Sequence, residues 1–264
     1  MATLRLATWN VNSLRLRLEQ LARFAAAYAP DVICLQEIKM PTERVPRAAL
    51  EALGYPHVAV RGQKGYHGVA ILSRLPLGAV TSRDWCGSQD ARHIAARLPG
   101  GIELHNFYVP AGGDLPDPER NPKFAFKLQF LTAMAEWFAA RPRRRLVLAG
   151  DLNVAPLETD VWSHQRLKRV VTHTPIEIAH LERLMASRDW VDAVRHFVPP
   201  EERLYTWWSY RAPDWAAADK GRRLDHLWVT PALRPGLKRA VVAKEVRGWA
   251  RPSDHAPVVV TLEG

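Results

Sequence analysis

The chain has 264 residues, enough for one large domain or two small ones, and its 47% apolar content is that of an ordinary globular protein. Lys and Arg number 37 against 27 Asp and Glu, a net charge of +10, an excess that attracts polyanions, of which nucleic acid is the commonest. Two cysteines, Cys34 and Cys86, exclude a disulfide framework and a four-cysteine zinc site. No apolar run has membrane-spanning length and the start, MATLRLATWN, lacks an extended apolar segment, so a soluble protein in a reducing cytoplasm is expected, without a membrane partner.

Leu4 to Trp9 alternates like a strand and ends in Asn10 and Asn12. Ser13 is placed to cap a helix whose apolar residues Leu14, Leu18, Leu21, Ala25 and Tyr28 recur every three or four positions until Pro30. A second apolar run, Val32 to Gln36, ends in Glu37, and Cys34 within it reads as a core residue. Arg47 to Leu53 is a short helix closed by Gly54, and His57 to Val60 and Gly68 to Ser73 are strands. Lys64, Tyr66 and His67 between them suit a phosphate contact or a solvated hairpin tip. Ala95 to Leu98 and Ile102 to Val109 form a hairpin across Pro99-Gly100-Gly101, and a proline-rich loop runs from Gly113 to Pro122.

Phe124, Leu128, Leu131, Ala135 and Phe138 make one apolar helix stripe. Arg141 to Arg145 then reads as a solvated loop of arginines rather than a phosphate site. Leu146 to Pro156 follows, an apolar run that breaks at Gly150 and offers Asp151 and Asn153 two residues apart, facing one point, as suits a metal, a phosphate or a water. Thr174-Pro175-Ile176-Glu177 is a capping box opening a helix through Ser187. Tyr205 to Tyr210, Leu224 to Thr230 and Ala256 to Leu262 are further strands, the last two separated by Lys238 to Val246. No linker or repeat divides the chain, so a single domain over 1-264 is expected, and many strands with two apolar helix stripes favour a β-sandwich with outer helices.

Asn10, Glu37, Tyr108, Asp151, Asn153, Asp225 and the pair Asp254-His255 all terminate apolar runs, and two packed sheets would bring such ends to one rim. Glu37, Asp254 and Asp151 with carboxamide oxygens are hard ligands that suit Mg²⁺ or Mn²⁺. His255, oriented by a carboxylate such as Asp225, suits an acid, a base or a donor to a phosphoryl oxygen, and Asp151 with Asn153 suits alignment of a water. The chemistry this points to is metal-assisted hydrolysis of a phosphate ester.

The segments TWNVNSLR, LQEIK, GYHGVAILSR, NFYVPAGG, GDLNVAP, YTWWSYR, GRRLDHLWVT and SDHAPVVV, in this order from residue 3 to residue 262, resemble the motifs of the exonuclease III family of apurinic/apyrimidinic endonucleases, within the endonuclease/exonuclease/phosphatase superfamily. The resemblance implies an α/β fold, a four-layer sandwich of two packed mixed sheets flanked by helices. It implies a Mg²⁺ cofactor, with Mn²⁺ able to substitute, as one ion or two. It also implies a double-stranded DNA substrate with abasic or 3′-blocked lesions, incised 5′ of the abasic site to leave a 3′-hydroxyl, with 3′-repair and 3′-5′ exonuclease activity beside it. A monomer is the expected state.

Carried over by resemblance, Glu37 is the principal metal ligand in a metal-facing set of Asn10, Glu37, Asp151, Asn153, Asp254 and His255. Asp151 orients or deprotonates water, Asn153 positions the nucleophile, Asp225 and His255 form a dyad facing the phosphate, and Tyr108 is the phenol beside it. Trp207, Trp208, Leu224 and Arg222 fall where the family lines its pocket for the extruded sugar. Asn12 stands where some relatives have aspartate, Arg222 where some have an aromatic ring, and the stretch from Glu158 to Thr174 matches no motif. An inositol-phosphate or lipid phosphatase and a silent nucleic-acid binder are the alternatives, opposed by the charge and by the complete polar set respectively.

Overall fold

The computed structural model describes residues 3–142, 145–212 and 214–263. In chain order it holds β1 (Thr3–Asn10), α1 (Leu14–Tyr28), β2 (Val32–Gln36), α2 (Arg47–Ala52), β3 (His57–Arg61), β4 (Val69–Ser73), β5 (Gly78–Thr81), β6 (His93–Arg97) and β7 (Glu103–Tyr108). There follow α3 (Pro122–Ala139), β8 (Leu146–Asp151), α4 (His164–Leu167), α5 (Pro175–Ala186), β9 (Val191–Asp192), β10 (Trp207–Trp208), α6 (Trp215–Ala218), β11 (Gly221–Arg222), β12 (Asp225–Val229), β13 (Leu237–Val242) and β14 (Val258–Glu263). One six-stranded sheet runs β13-β14-β1-β2-β4-β3, another β5-β6-β7-β8-β12-β9, and β10 pairs with β11, its Trp207 also bridging to His255.

Strand alternation decides which face each residue covers. Leu6 of β1 and Val147 and Ala149 of β8 point into the core between the sheets, with Val32, Ile71, Leu104, Leu227 and Val260. Their neighbours Ala7 and Trp9 point outward against α1, where Leu14, Leu21 and Phe24 meet Ile33, Leu35 and Leu72. Leu146 and Leu148 point the other way, against Phe130, Leu131, Met134 and Phe138 of α3 and Leu181 and Leu184 of α5. The result is the expected four-layer sandwich, helix, sheet, sheet, helix, each α-helical stripe covering one outer sheet face.

A polar bolt crosses the sandwich near one rim. Asn106 of β7 donates to the carbonyls of Leu35 (2.9 Å) and Ala70 (2.8 Å) in the other sheet and accepts from Gln36 Nε2 (2.8 Å). All three of its bonds lie in the dry interior, where an unpaired partner would be costly, so they hold the two sheets in one register.

That rim collects the strand ends. β1 with β2 and β7 with β8 are parallel pairs, so all four deliver their C-termini to the same side, in the registers Asn10↔Gln36 and Tyr108↔Asp151. β12 runs antiparallel to β8 with Asp225 opposite Asp151, so its N-terminus arrives there too.

Several local expectations need correction. Ser13 sits at the N-cap of α1 with φ 95° and makes no side-chain cap bond, because its backbone is drawn out by its bond to the Glu37 carbonyl. Thr174 and Glu177 do form the predicted capping box. The YTWWSY stretch contributes only the two-residue β10, bent toward the rim rather than entering a main sheet. Lys238 to Val246, expected as a connection, includes most of edge strand β13. Arg143 and Arg144 lie outside the described residues, while Arg141 pairs with Glu103 and Arg145 donates to the Gly100 carbonyl (2.8 Å). Among the described residues no helix is long and apolar enough to cross a membrane.

Candidate active site

Gly150 begins the site. Its φ is 145°, and a Cβ built there would lie 1.9 Å from the Phe107 carbonyl oxygen, so only glycine lets β8 close on β7 before Asp151. Asp151 is buried, with Oδ2 accepting from Asn10 Nδ2 (2.9 Å) and Oδ1 from the Asn153 amide (3.0 Å). Asn153 takes the left-handed conformation (φ 53°) and donates Nδ2 to the Val109 carbonyl (3.0 Å), which leaves its carboxamide oxygen as the acceptor it can offer. Asn12, Glu37 and Lys39 are also left-handed, so backbone strain is concentrated at this rim.

Asn10 links the two sheets' contributions, since Nδ2 also donates to Glu37 Oε1 (2.8 Å). Burial raises the Glu37 carboxyl, but Lys39 at 2.9 Å and the Asn10 amide outweigh it, and the net shift is downward. Asp254 behaves alike: burial is overcome by His255 and by donors from Trp207 Nε1 (2.9 Å) and Asn12 Nδ2 (3.0 Å). Asn12 also accepts from Lys39 Nζ (2.5 Å), which joins the two carboxylates' surroundings.

His255 presents Nδ1 to Asp225 Oδ2 (2.8 Å) and Nε2 to Asp151 Oδ2 (3.8 Å). Burial pushes the imidazole down, but these two carboxylates prevail and raise it to about 10. Burial likewise raises the Asp151 carboxyl, to about 7, with His255 opposing and Asp225 and Glu37 adding. Asp225 is held by Thr206 Oγ1 (2.6 Å), while Arg223 turns away to Asp160 (2.8 Å) and Asp192. Tyr108 is nearly buried, and burial with the nearby Glu37 and Asp151 charges pushes its phenol well above the usual range.

One cavity of about 920 Å³ is lined by Glu37, Tyr108, Asp151, Asn153, Asp254 and His255 together with Trp207, Trp208, Arg222 and Leu224. Asn10 is fully buried behind that wall and reaches it through its two carboxylate partners. Trp208 is only 2% exposed, packs on Tyr205 and Trp215 and ties Nε1 to Asp219 (2.9 Å), so most of its ring is core rather than pocket wall. Arg222 lies 5.3 Å over the Trp207 ring and donates to the Val171 carbonyl (3.0 Å) and Thr172 Oγ1 (2.7 Å). The stretch from Glu158 to Thr174, which matched no motif, thereby forms one wall of the cavity.

The donor set suits a hard divalent cation: carboxylate and carboxamide oxygens with one imidazole and no thiolate. Ligand atoms of Asp151, Asp225 and His255 lie within 4.8 Å of one another, and Asp225 Oδ1 is buried without a hydrogen-bond partner. Glu37 stands outside that tight cluster, joined to it through Asn10. Lys39 and Thr206 were missed from sequence; two-residue spacing from Glu37 could have found Lys39, whereas nothing local marks Thr206.

A family model described as the Endonuclease/Exonuclease/phosphatase family matches residues 7–255. The chain is 30% identical over 264 residues to an exodeoxyribonuclease III of Haemophilus influenzae, covering 95% of this chain and 97% of that protein. It is 29% identical over 266 residues to an exodeoxyribonuclease of Bacillus subtilis, covering 98% and 99%. Among solved structures it is similar to a 3′ phosphatase from Neisseria bound to a product DNA hairpin (TM-score 0.91, 34% identity, 99% of this chain and 100% of that one). It is similar also to an AP endonuclease from Archaeoglobus fulgidus (TM-score 0.92, 31% identity, 99% and 100%).

Proposed function

Since this chain belongs to the endonuclease/exonuclease/phosphatase family, as an exonuclease III-like hydrolase, we propose that it repairs double-stranded DNA in the cytoplasm as a monomer. Its substrates are abasic sites, incised on the 5′ side to leave a 3′-hydroxyl, and blocked 3′ ends, with 3′-5′ exonuclease activity beside them. The relatives support this range, being named exodeoxyribonuclease, AP endonuclease and 3′ phosphatase, and give no support to an inositol phosphatase or a silent binder. The +10 charge supports a polyanionic substrate.

The observation that carries the reading is the setting of Asp151, fixed between the Asn10 side chain and the Asn153 amide and facing His255 across 3.8 Å. In this assignment Asp151 accepts a proton from the attacking water while Asn153 holds that water in line. The bond from phosphorus to the 3′ oxygen breaks, and the oxygen leaves as a hydroxyl after taking a proton from solvent. His255, charged and braced by Asp225, donates to a phosphoryl oxygen where negative charge grows, and the Tyr108 phenol, which stays protonated, offers a second donor.

The family is metal-dependent; Mg²⁺ is the proposed ion, with Mn²⁺ able to replace it, and Glu37 with Asp254 would hold it with the Asn153 carboxamide oxygen beside them, while Asp151, Asn10 and the charged His255 flank it without ligating. Bound there, it neutralises phosphate charge and stabilises the leaving oxygen. Trp207, Leu224 and Arg222 form the wall that receives an extruded sugar.

The test is a product profile on an abasic-analogue duplex, a 3′-phosphate duplex and an undamaged blunt duplex, each with Mg²⁺ and with EDTA. Incision or phosphate release with Mg²⁺ and none with EDTA is expected. Three intact substrates in the presence of free Mg²⁺ would contradict the proposal.

A further inference from the structure

Directly behind the cavity lies an ion pair, neither member of which lines it. Lys127 of α3 and Glu177 of α5 both have fully buried side chains in close contact with each other. The three ammonium protons of Lys127 meet three acceptors: the Asn153 carbonyl (2.7 Å), the Ala111 carbonyl (3.3 Å) and Glu177 Oε1. The Glu177 carboxylate in turn accepts from the Thr172 amide (2.9 and 3.0 Å), the Thr174 amide (3.1 Å) and Thr174 Oγ1 (2.7 Å). Thr172 is the residue whose hydroxyl receives Arg222 at the cavity wall, and its carbonyl accepts from the Ala155 amide (2.7 Å).

A buried ion pair is poor evidence for stability, because removing two charges from water offsets most of their attraction. What distinguishes this pair is the destination of its remaining bonds. Two go to the carbonyls of loops that build the site, one of them belonging to Asn153, which lies past the end of β8 in the left-handed conformation. Gly112 is shaped around the same lysine: its φ is 92°, and an added Cβ would lie 2.9 Å from Lys127 Cδ.

We propose that Lys127 and Glu177 are positioning residues for hydrolysis, the lysine fixing the Asn153 peptide and the glutamate fixing Thr172, so that turnover depends on a pair that never meets the substrate. The proposal rests on the hydrolase function above, and deepens it by assigning the precision of the Asn153 loop to charges outside the cavity. Mispositioning of an active group by even an ångström costs roughly 10- to 100-fold in rate.

The experiment compares wild type, Lys127→Met, Glu177→Gln and the double variant on the abasic and 3′-phosphate duplexes, with thermal melts alongside. Lys127→Met strands a carboxylate in the interior and should lower the melting temperature, whereas the double variant carries no lone charge and should regain much of it. Its kcat should nevertheless stay roughly 10- to 100-fold below wild type with KM changed by less than about threefold, because the Asn153 and Ala111 carbonyls still lack their donor. Glu177→Gln keeps one oxygen for the Thr172 and Thr174 donors but removes the counter-charge of the lysine, so it too should lower the melting temperature, and kcat should fall as Lys127 loosens its hold on the Asn153 carbonyl. In an Asn153→Ala background, Lys127→Met should cost less than about threefold further, since the residue through which it acts is gone.

A double variant with wild-type kcat, or losses that simply multiply in the Asn153→Ala background, would overturn the positioning role while leaving the hydrolase function intact. A wild type inert toward every DNA substrate would overturn the function, and this proposal with it.

Discussion

The two halves of the site push acidity in opposite directions. On the side of β1 and β2, Glu37 and Asp254 are buried, yet the Lys39 ammonium, the His255 charge and nearby N–H donors hold both below the usual carboxylate range. Facing β8 and β12, burial with the Asp225 and Glu37 charges raises Asp151 to about 7, and His255, reaching across from the loop before β14, is pushed down by burial but raised to about 10 by the Asp225 and Asp151 carboxylates. One half is built to stay charged, the other to hold or exchange a proton. Asn10 stands between them, donating to a carboxylate of each. Opposed environments of this kind separate a charge-holding role from a proton-handling one.

The strongest way to break the contrast is Asp151→Asn. It removes the proton acceptor and almost none of the basic surface, so kcat should fall at least about 100-fold with the Kd for DNA within about threefold of wild type. Single-turnover incision together with a binding isotherm measures both, and a variant retaining a tenth of the activity would remove Asp151 from its role. Next in size is Asn10→Ala, which cuts the bridge and leaves two carboxylates without their shared donor. A loss in kcat of roughly 10- to 100-fold is expected. Equal activity would show that the halves work without the link.

A smaller effect sharpens the contrast, using a histidine remote from the site. His93 is buried against His105, Phe107 and Trp85, and burial, aided by His105 and nearby arginines, drives it well below its ordinary value. His255 is equally enclosed but goes up, so burial alone does not decide the direction; the two carboxylates do. The sign for stability follows. Below about pH 6.5 the unfolded chain protonates His93 and the native state does not, so this residue should reduce stability as pH falls, by up to about 1.4 kcal/mol per pH unit. Urea unfolding between pH 7 and pH 5 should show a shallower slope for His93→Phe than for wild type.

Much of the site was legible because short apolar runs ended abruptly in polar residues, as at Gln36 to Glu37 and Ala149 to Asp151. Parallel pairing of β1 with β2 and β7 with β8 is what turns that local signal into convergence on one rim. The order of strands was less legible, and edge strand β5, exposed throughout at Gly78–Thr81, carries no alternation to detect. Residues that act by pairing were hardest to find. Thr206 meets Asp225 across 19 positions and Lys127 meets Glu177 across 50, and neither contact leaves a local spacing. Glu177 was visible as a capping residue, but its carboxylate also accepts from the Thr172 amide and pairs with Lys127 of α3. Ser13 shows the converse, a good capping residue whose backbone is claimed by Glu37.

The division of labour between the halves is tested most directly by titrating activity with Mg²⁺ in wild type, Glu37→Gln and Asp151→Asn. Glu37→Gln should raise the half-saturating Mg²⁺ concentration roughly 10- to 100-fold, with rate recovered in large part at saturation. Asp151→Asn should leave the half-saturating concentration within about threefold of wild type, with a lost rate that no amount of Mg²⁺ restores. The reverse pattern, a metal requirement that shifts with Asp151 and not with Glu37, would contradict the account.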